Sequence, residues 1–450
     1  MFTYNGKRIK SVGFLGYGKS NKGIRDYLGR HFDGLRFVLR SDAPVNDCRE
    51  TFQSIHVGSA VYEKFDEDVL FLSPSARRDK KELAIAKKRG VILSSDAEFF
   101  LKNTKSDVFA VTGSDGKSTT TTLTSMMLAE SYSNAVPCGN IGEAMTPHLD
   151  DCGDFAYVAE LSSFQLMYMK PRVRRALITN ITKNHLNWHA SFDEYIEAKR
   201  NVFENAKERI INFDCEISRG FAKDYPIFAT FSQKANESEL KRNVKSEIYV
   251  TQKDGFITVS GDRVLALSDI RIGGAHNVLN FMAAIAMSYG LAKKELILQT
   301  AKNFAGLRHR CEFIREVRGV SYYDSSIDSS PKRTSATLDS FSTRVIVILG
   351  GRSKGLDFSE LIPALKRKAK AIVLMGECAE EIAGELSKDS AFECDIPYTK
   401  KCRLRDAAEY AISIAECTDS VVLSPAATSY DEFRNFEERG DAFREIINGL

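Results

Sequence analysis

Two kinds of segment alternate along the chain. Short apolar runs, such as residues 11–15, 108–111 and 345–349, have the pattern of buried parallel strands. Most are followed by a polar, glycine- or serine-rich turn and then by apolar residues at helical spacing. The alternation restarts after residue 308. The pattern therefore predicts an α/β protein built from doubly wound parallel sheets, with ligands at the carboxyl ends of the strands.

The segment at residues 109–123, FAVTGSDGKSTTTTL, reads as strand, glycine-rich turn and helix. Gly113 and Gly116 let the backbone curl, so that its N–H groups can bind phosphate oxygens at the positive end of the helix. Lys117 can reach the outer phosphates, and Ser118 or the threonine after it offers a hydroxyl to magnesium. The loop is shorter than G-x-x-x-x-G-K-[ST], but its setting predicts nucleotide binding.

The first 105 residues open like a dinucleotide-binding fold, but imperfectly. The predicted strand 11–15 runs into GYGKSN, where Asn21 stands in place of the third glycine. The next predicted strand ends in Arg40-Ser41-Asp42, without the acidic residue that binds a ribose in NAD enzymes. A basic and hydroxylic strand end suits a diphosphate or uridine better, although Arg40 and Lys19 as solvated surface charges remain an alternative.

Polar side chains also follow two central strands. Glu160 ends the apolar segment 156–161, and His185 follows the segment 176–181. A carboxylate at the tip of a core strand is costly unless it meets a cation. Glu160, Ser118 and His185 are therefore expected to converge on magnesium at the nucleotide phosphates. Histidine is a less usual magnesium ligand, so a local packing role for His185 stays open.

A helix predicted over residues 193–207 contains a lysine in its apolar stripe. Tyr195 and Phe203 lie four residues before and after Lys199, which places its side chain among apolar neighbours. A buried ammonium needs a partner or loses its proton. A neutral amine can add carbon dioxide and become a carbamate, a carboxylate-like ligand. A snorkelling lysine is the simpler alternative.

Two further regions offer candidate ligands. Asn277 and Asn280 share a helix face, and their amides match the edge of a purine, although a polar helix face explains them equally. In the last third of the chain, turns at 324–326, 350–355 and 424–429 follow predicted strands. Lys354, after two glycines, can bind an anionic substrate there.

Composition narrows the classes of protein to which this chain can belong. The 450 residues are 43% hydrophobic and carry a net charge of +3, which gives no reason to expect a nucleic acid or membrane partner. Nine scattered cysteines favour reduced thiols, and no apolar run approaches the ~18 residues of a membrane span. We expect a cytoplasmic protein that acts as a monomer.

Together the motifs resemble the Mur ligases. The matching segments are TGSDGKSTT, GNIG, ELSSFQL, NITKNH, EAKRNVFENAK, GAHNVLN, FAGLRHRCE, YYDSS, GGRSKG and SPAATSYDEFRNFEERG. They span most of the chain from about residue 106, and ELSSFQL with the last segment points to the D-glutamate-adding branch. The N-terminal match is looser and rests on GYGKSN and the SPS turn.

The resemblance implies three domains: residues 1–105, a Rossmann-like sheet for the UDP-sugar; 106–308, a P-loop-type ATPase domain; and 309–450, a Rossmann-like sheet for the amino acid. It implies an amide ligase that uses ATP and Mg²⁺ to join D-glutamate to UDP-N-acetylmuramoyl-L-alanine through an acyl phosphate, in peptidoglycan synthesis.

The resemblance also implies residue roles. ATP would be bound by Gly113, Ser114, Asp115, Gly116, Lys117, Ser118 and Thr119, with Asn280, Arg310 and Asp324 on adenosine. Magnesium would be held by Ser118 and Glu160, and a second ion by His185 and carbamylated Lys199. The catalytic residues would be Lys117, His185 and Lys199. The UDP-sugar would meet Gly18, Lys19, Ser20, Arg40, Ser41, Ser73 and Asn140, and D-glutamate would meet Lys354, Ser429, Tyr430 and Phe436.

The chain departs from the family pattern at four positions, where Lys183, Asn184, Asn187 and Ser326 change the charge expected around the acyl phosphate. Three alternatives follow from the residues: another amide ligase such as a folylpolyglutamate synthetase, a non-catalytic nucleotide-binding protein, and an NAD oxidoreductase. The missing third glycine and Arg40 disfavour the last.

Overall fold

A computed structural model describes residues 1–42, 51–74, 76–142, 144–185, 188–353, 355–390, 392 and 395–450. The chain forms two compact units, Met1–Phe304 and Ala305–Leu450. The predicted α/β class is confirmed, because three sheets dominated by parallel pairs alternate with helices over the described ranges.

The N-terminal part of the first unit holds a parallel sheet. In the described residues its strand order is β5-β4-β3-β6-β7, with the short antiparallel hairpin β1–β2 before it. Alternate residues of β3 and β6, among them Phe14 and Phe71, fill an aromatic core on one face. The elements are β1 (Phe2–Tyr4), β2 (Lys7–Ile9), β3 (Ser11–Leu15), α1 (Lys19–His31), β4 (Arg36–Ser41), β5 (Ser54–Val57), β6 (Val69–Leu72), α2 (Lys81–Lys88), β7 (Ile92–Ser94) and α3 (Asp96–Asn103).

The rest of the first unit is built on a larger sheet with the order β16-β15-β14-β13-β12-β11-β8-β10-β9 across its described strands. The pairs from β9 to β14 are parallel, and β15 and β16 add antiparallel strands at one edge. Its elements are β8 (Asp107–Thr112), α4 (Lys117–Leu128), β9 (Asn134–Gly139), β10 (Phe155–Glu160), α5 (Ser163–Leu166), β11 (Arg172–Ile178), α6 (Phe192–Arg200), β12 (Asn205–Asn212), α7 (Glu216–Gly220), β13 (Ile227–Ser232), α8 (Glu237–Asn243), β14 (Ser246–Lys253), β15 (Phe256–Val259), β16 (Asp262–Ala266), α9 (Ala275–Ser288) and α10 (Lys294–Asn303).

The second unit has a sheet ordered β17-β18-β22-β19-β20-β21 within the residues described. Only the β17–β18 pair of this set is antiparallel. Its elements are β17 (Glu312–Val317), β18 (Val320–Asp324), α11 (Pro331–Asp339), β19 (Val345–Gly350), α12 (Ile362–Lys368), β20 (Ala369–Met375), α13 (Ala379–Leu386), β21 (Tyr398–Lys400), α14 (Leu404–Ile414), β22 (Ser420–Leu423) and α15 (Phe436–Asn448). Short 3₁₀ turns lie at Gly58–Tyr62, Thr146–Asp150, Asn201–Phe203, Phe221–Lys223, Leu267–Asp269 and Phe358–Leu361.

The helix predicted over residues 193–207 is wrong in its second half. Helix α6 begins after the N-cap Ser191, whose hydroxyl accepts from the N–H of Glu194, and it ends at Arg200. A 3₁₀ turn follows, and the chain is already in strand β12 from Asn205. The reason is tertiary, because parallel pairing of β12 with β11 buries Ile210 and Ile211 and overrides the local helical spacing. No described helix combines the length and apolar character needed to cross a membrane.

Candidate active site

The loop between β8 and α4 needs glycine at two positions. Gly113 has φ 150° and Gly116 has φ 76°, both in the region that side chains disfavour. A Cβ on Gly113 would lie 1.8 Å from Thr179 Oγ1, and one on Gly116 would lie 2.4 Å from Asn280 Oδ1. The loop is thus packed against the end of β11 and the start of α9. Its backbone N–H groups stand at the N-terminus of α4, where anions bind.

Two residues directly after β11 hold this loop in place through hydrogen bonds, and neither was among the predicted site residues. Asn180 accepts from the N–H of Ser114 through its carbonyl (2.8 Å) and from the N–H of Asp115 through its side chain (2.9 Å). Thr179 donates its hydroxyl to the carbonyl of Asp115 at 2.6 Å. The signal was their position immediately after a central strand, at the same sheet edge as the loop.

Lys117 begins α4 and folds back over the loop. Its Nζ donates to the carbonyl of Ser114 at 2.9 Å, which holds the ammonium beside the backbone of the glycine loop. Ser118 and Thr119, the hydroxyl residues that follow, are 7% and 8% exposed. The residues predicted to bind ATP therefore lie together in the loop and the first turn of α4.

Glu160 ends β10 and is 1% exposed. Its Oε1 accepts from Asn140 Nδ2 at 2.9 Å, whereas Oε2 is buried and has no hydrogen-bond partner among the described residues. A buried carboxylate oxygen left without a partner is costly, and a bound cation is the usual solution. Glu160 is therefore a fitting ligand for a hard cation such as Mg²⁺.

Lys199 lies in the core, so its side chain does not snorkel to the surface. It is 2% exposed, its Nζ donates to the carbonyl of Gly113 at 2.7 Å, and the ammonium lies 4.7 Å from the centre of the Tyr195 ring. Burial, reinforced by the charge of Lys117, holds the pKa of Lys199 well below its ordinary value, although Glu160 and Asp115 oppose the shift. The amine is thus biased toward its neutral, nucleophilic form.

His185 lies at the exposed side of this region. Its backbone has φ 54°, which is unusual for a residue with a side chain. Its ring is 5.0 Å from that of Phe164 and 6.4 Å from that of Tyr195, measured between centroids. The Tyr195 hydroxyl hydrogen-bonds Ser114 Oγ at 2.9 Å, so Tyr195 connects His185, Lys199 and the phosphate loop. From sequence, Tyr195 was expected only as an apolar neighbour of Lys199.

A cleft of about 560 Å³ opens at the carboxyl ends of β3, β4 and β6. Its lining includes Gly16, Ser73, Arg77, Lys80 and Trp188. A Cβ on Gly16 would lie 2.4 Å from Ser73 Oγ, so the turn and the serine are in close contact. A UDP-sugar was predicted to bind at this edge of the sheet, but Arg77, Lys80 and Trp188 were not among its predicted contacts.

Among the residues predicted to contact the UDP-sugar, Arg40 has its side chain directed into the protein. Its side chain is fully buried, pairs with Glu67 at 2.7 Å, and donates to the carbonyls of Val61, Glu63 and Lys64. Its guanidinium is thus occupied inside the protein and supports the cleft wall. Gly18 and Lys19 are exposed, Ser20, Ser41 and Ser73 are partly exposed, and the exposed Asn140 reaches Glu160.

Asn21, in the position of the expected third glycine, is a structural residue. It is 1% exposed, and its Nδ2 donates to the carbonyls of Leu15 (3.2 Å), Gly16 (2.7 Å) and Phe71 (3.3 Å). The amide joins the ends of β3 and β6 below the cleft. This use of the side chain explains why the departure from the glycine pattern is tolerated.

In the second unit, Asp324 ends β18 and is fully buried. It accepts from His309 Nδ1 at 2.7 Å and from the N–H of Ser326 at 2.8 Å. A Cβ on Gly440 would lie 2.1 Å from His309 Nδ1, so α15 can pass only because this residue is glycine. Arg310, a predicted nucleotide ligand, follows His309 in the sequence and is partly buried.

The predicted D-glutamate residues belong to the same unit, but Lys354 lies outside the described residues, as does Asn187 of the first unit. Ser429 is 3% exposed, Tyr430 is 52% exposed, and Phe436 begins α15. Ser326 donates to the carbonyl of Phe436 at 2.8 Å.

Arg439, which was not among the predicted site residues, is 1% exposed behind these turns. It donates to Ser326 Oγ at 3.0 Å and to the carbonyls of Ser326 (2.9 Å) and Ala427 (3.1 Å). Burial lowers its pKa to about 10. Arg439 therefore holds two of the ligand-facing turns together.

Comparison with known proteins decides the family. The sequence matches the Mur ligase middle domain over residues 111–288 and the Mur ligase glutamate ligase domain over residues 309–427. It is 36% identical to the UDP-N-acetylmuramoylalanine–D-glutamate ligase of Acetivibrio thermocellus, covering 99% of this chain and 98% of that one. The corresponding ligase of Ruminiclostridium cellulolyticum is 39% identical, over 98% and 97%.

The chain belongs to the Mur ligase family. Solved structures agree on the fold: the UDP-N-acetylmuramate–alanine ligase of Thermotoga maritima aligns with a TM-score of 0.60 at 18% identity, covering 98% of this chain and all of that one. A pseudomurein peptide ligase from Methanothermus fervidus aligns with a TM-score of 0.56 at 18% identity, covering 98% and 99%. Mur ligases are ATP-dependent, which agrees with the glycine loop described above.

Proposed function

We propose that this Mur ligase joins D-glutamate to UDP-N-acetylmuramoyl-L-alanine, converting ATP to ADP and phosphate, in peptidoglycan precursor synthesis. The similarity to D-glutamate ligases over 98–99% of the chain carries the choice of substrates. The Oε2 of Glu160, which is buried and has no hydrogen-bond partner in the described part of the chain, lies at the sheet edge that holds the glycine loop and supports the chemistry.

The first step is phosphorylation of the alanyl carboxylate. A carboxylate oxygen attacks the γ-phosphorus of ATP, the bond to the β-γ bridging oxygen breaks, and ADP leaves. Backbone N–H groups at residues 113–119 bind the phosphates, and Lys117 neutralises charge that develops on the transferred group. The contact of Lys117 with the loop carbonyl at 2.9 Å keeps its ammonium at that position.

The residues present fit Mg²⁺. Ser118 and Glu160 would hold one ion, and His185 with a carbamate on Lys199 would hold a second. The carbamate forms when the neutral Lys199 amine adds CO₂ and releases a proton, which the buried, low-pKa amine favours. When bound, the ions would shield the phosphate oxygens and polarise the bond to the leaving group.

The second step forms the amide. The amine of D-glutamate attacks the acyl-phosphate carbon, a tetrahedral intermediate collapses, phosphate leaves with the former carboxylate oxygen, and the nitrogen loses a proton. The chain's contribution is to position the two substrates and to neutralise charge.

We assign the remaining roles by site. The UDP-sugar occupies the N-terminal cleft, with Gly18, Lys19, Ser20, Ser41, Ser73 and Asn140 as contacts and Arg40 as wall support. The predicted adenosine contacts are Asn280 in the first unit and Arg310 and Asp324 in the second. D-glutamate is bound by Lys354, Ser429, Tyr430 and Phe436. The corresponding modules are residues 1–105, 106–308 and 309–450.

An amino-acid panel tests the proposal. Purified protein, ATP and Mg²⁺ are combined with UDP-N-acetylmuramoyl-L-alanine and one amino acid, and the product mass is measured. We expect product with D-glutamate, and little with L-glutamate or L-alanine. Product from a folate and L-glutamate would overturn the assignment, and so would the absence of product with every substrate pair. Lys117→Ala is expected to bind UDP-sugar normally and form no product.

A further inference from the structure

A buried histidine near the site is bonded at both ring nitrogens. His189 has a fully buried side chain, with Nε2 2.9 Å from Ser163 Oγ and Nδ1 3.2 Å from Glu194 Oε2. A carboxylate only accepts, so Nδ1 donates to Glu194, and in the neutral ring Nε2 accepts from the Ser163 hydroxyl. These three residues take no direct part in the proposed phosphoryl- and acyl-transfer steps.

Each partner of His189 lies close in sequence to a proposed metal ligand. Ser163 is the first residue of α5, three positions after Glu160 at the end of β10. Glu194 is in the first turn of α6, the helix that carries Lys199. One imidazole therefore connects the segments of two proposed ligands, one at the end of a strand and the other in a helix.

The backbone of His189 carries the third ligand. The N–H groups of Trp188 and His189 both donate to the carbonyl of His185 at 3.0 Å. His185 is in the left-handed region with φ 54°, a conformation that costs energy and persists only when its surroundings enforce it. The anchored His189 ring holds one of these two donors in place, and through it the His185 backbone.

Glu194, the second partner of His189, is held in place by further contacts. Glu194 accepts from the N–H of Ala190 at 2.8 Å and from Arg77 at 3.2 Å, and Arg77 packs over the Trp188 ring at 4.9 Å. Because Arg77 lines the N-terminal cleft, the network begins at the wall of the proposed UDP-sugar site and ends at His185.

We propose that His189 is a positioning residue, which through Ser163 and Glu194 sets the Glu160, Lys199 and His185 segments in register for metal binding. The proposal rests on the proposed function for the metal ligands. The same three groups resemble a Ser-His-acid triad, but Ser163 is only 2% exposed, so an acyl group has no access to its hydroxyl.

The test compares Mn²⁺ affinity, measured by electron paramagnetic resonance with a non-hydrolysable ATP analogue, in the wild type and in His189→Gln, Ser163→Ala and Glu160→Gln. Ser125→Ala is the matched control, because Ser125 is a buried serine with one hydrogen bond, to the Ala135 carbonyl at 2.9 Å. We expect His189→Gln to weaken Mn²⁺ binding roughly 10- to 100-fold, as loss of an outer-shell partner does. Ser163→Ala should weaken it less, and Ser125→Ala not at all, although both serine variants lose similar thermal stability.

Wild-type Mn²⁺ affinity in both His189→Gln and Ser163→Ala would overturn the positioning role. If Glu160→Gln also binds Mn²⁺ like the wild type, the metal site of the proposed function is wrong instead. A crystal structure of Ser163→Ala then decides the positioning claim separately: shifted positions of His185 and His189 support it, and unchanged positions with His185 still in the left-handed region overturn it.

Discussion

At the scale of single residues, the central observation is Lys199. Its spacing among apolar residues left two alternatives, a buried amine and a snorkelling lysine, and the structure decides for the buried one, with 2% exposure and a hydrogen bond to the Gly113 carbonyl. His189 could not be found in this way, because its partners are 26 residues before it and 5 after it and only the fold brings them together.

Lys199→Ala should reduce turnover by at least about 100-fold, because the proposed carbamate ligand is lost. Acetate or another small carboxylate should restore part of the activity by occupying the space left by the side chain. Lys207→Ala, at an exposed lysine of β12, is the matched control and should behave like the wild type. Normal folding without any rescue would contradict the carbamate role.

Lys199 also makes stability depend on pH. Because its folded pKa is lowered, the folded state binds fewer protons than the unfolded state between that pKa and the ordinary value of 10.5. The uncarbamylated lysine therefore destabilises the fold increasingly as pH falls through this window. In CO₂-free buffer, Lys199→Met should have the higher free energy of unfolding at pH 7, and the difference should vanish as pH approaches 10.5.

Urea unfolding at several pH values measures this difference. The reverse trend, with the advantage of Lys199→Met growing as pH rises, would show that the amine is protonated and well paired in the fold.

At the scale of elements, the phosphate loop followed from sequence because strand, glycine turn and helix are all local features. The residues that brace it, Thr179 and Asn180, come from the neighbouring strand and required the sheet order β11-β8-β10. For the same reason the helix predicted over 193–207 was too long, since pairing of β12 with β11 is a non-local effect.

Gly116→Ala should weaken binding of ATP by at least about 10-fold, because its Cβ would lie 2.4 Å from Asn280 Oδ1 in a left-handed backbone. Isothermal titration with an ATP analogue measures the change. Gly384→Ala is the control: this exposed glycine lies inside α13, with no atom within 4 Å of the added Cβ. It should leave ATP binding unchanged and raise stability by about 0.5–1 kcal/mol. Equal ATP affinity in both variants would contradict the loop assignment.

At the scale of the whole molecule, the order of the motifs was enough to predict the family and the α/β class, and both predictions are confirmed. Pattern alone could not assign side chains at the N-terminal cleft. Arg40 was chosen there for its charge at a strand end, but Glu67 and three carbonyls occupy its guanidinium inside the protein. Whether a charged group faces a ligand or the core depends on loops that have no periodic signal.

Oxygen transfer tests the account most directly. UDP-N-acetylmuramoyl-L-alanine labelled with ¹⁸O in the alanyl carboxylate is incubated with the protein, ATP, Mg²⁺ and D-glutamate, and the released phosphate is analysed by mass spectrometry. The account predicts one ¹⁸O atom in each phosphate, because the attacking carboxylate oxygen leaves with it. Amide product accompanied by unlabelled phosphate would contradict the acyl-phosphate mechanism, and the absence of amide product would contradict the ligase assignment itself.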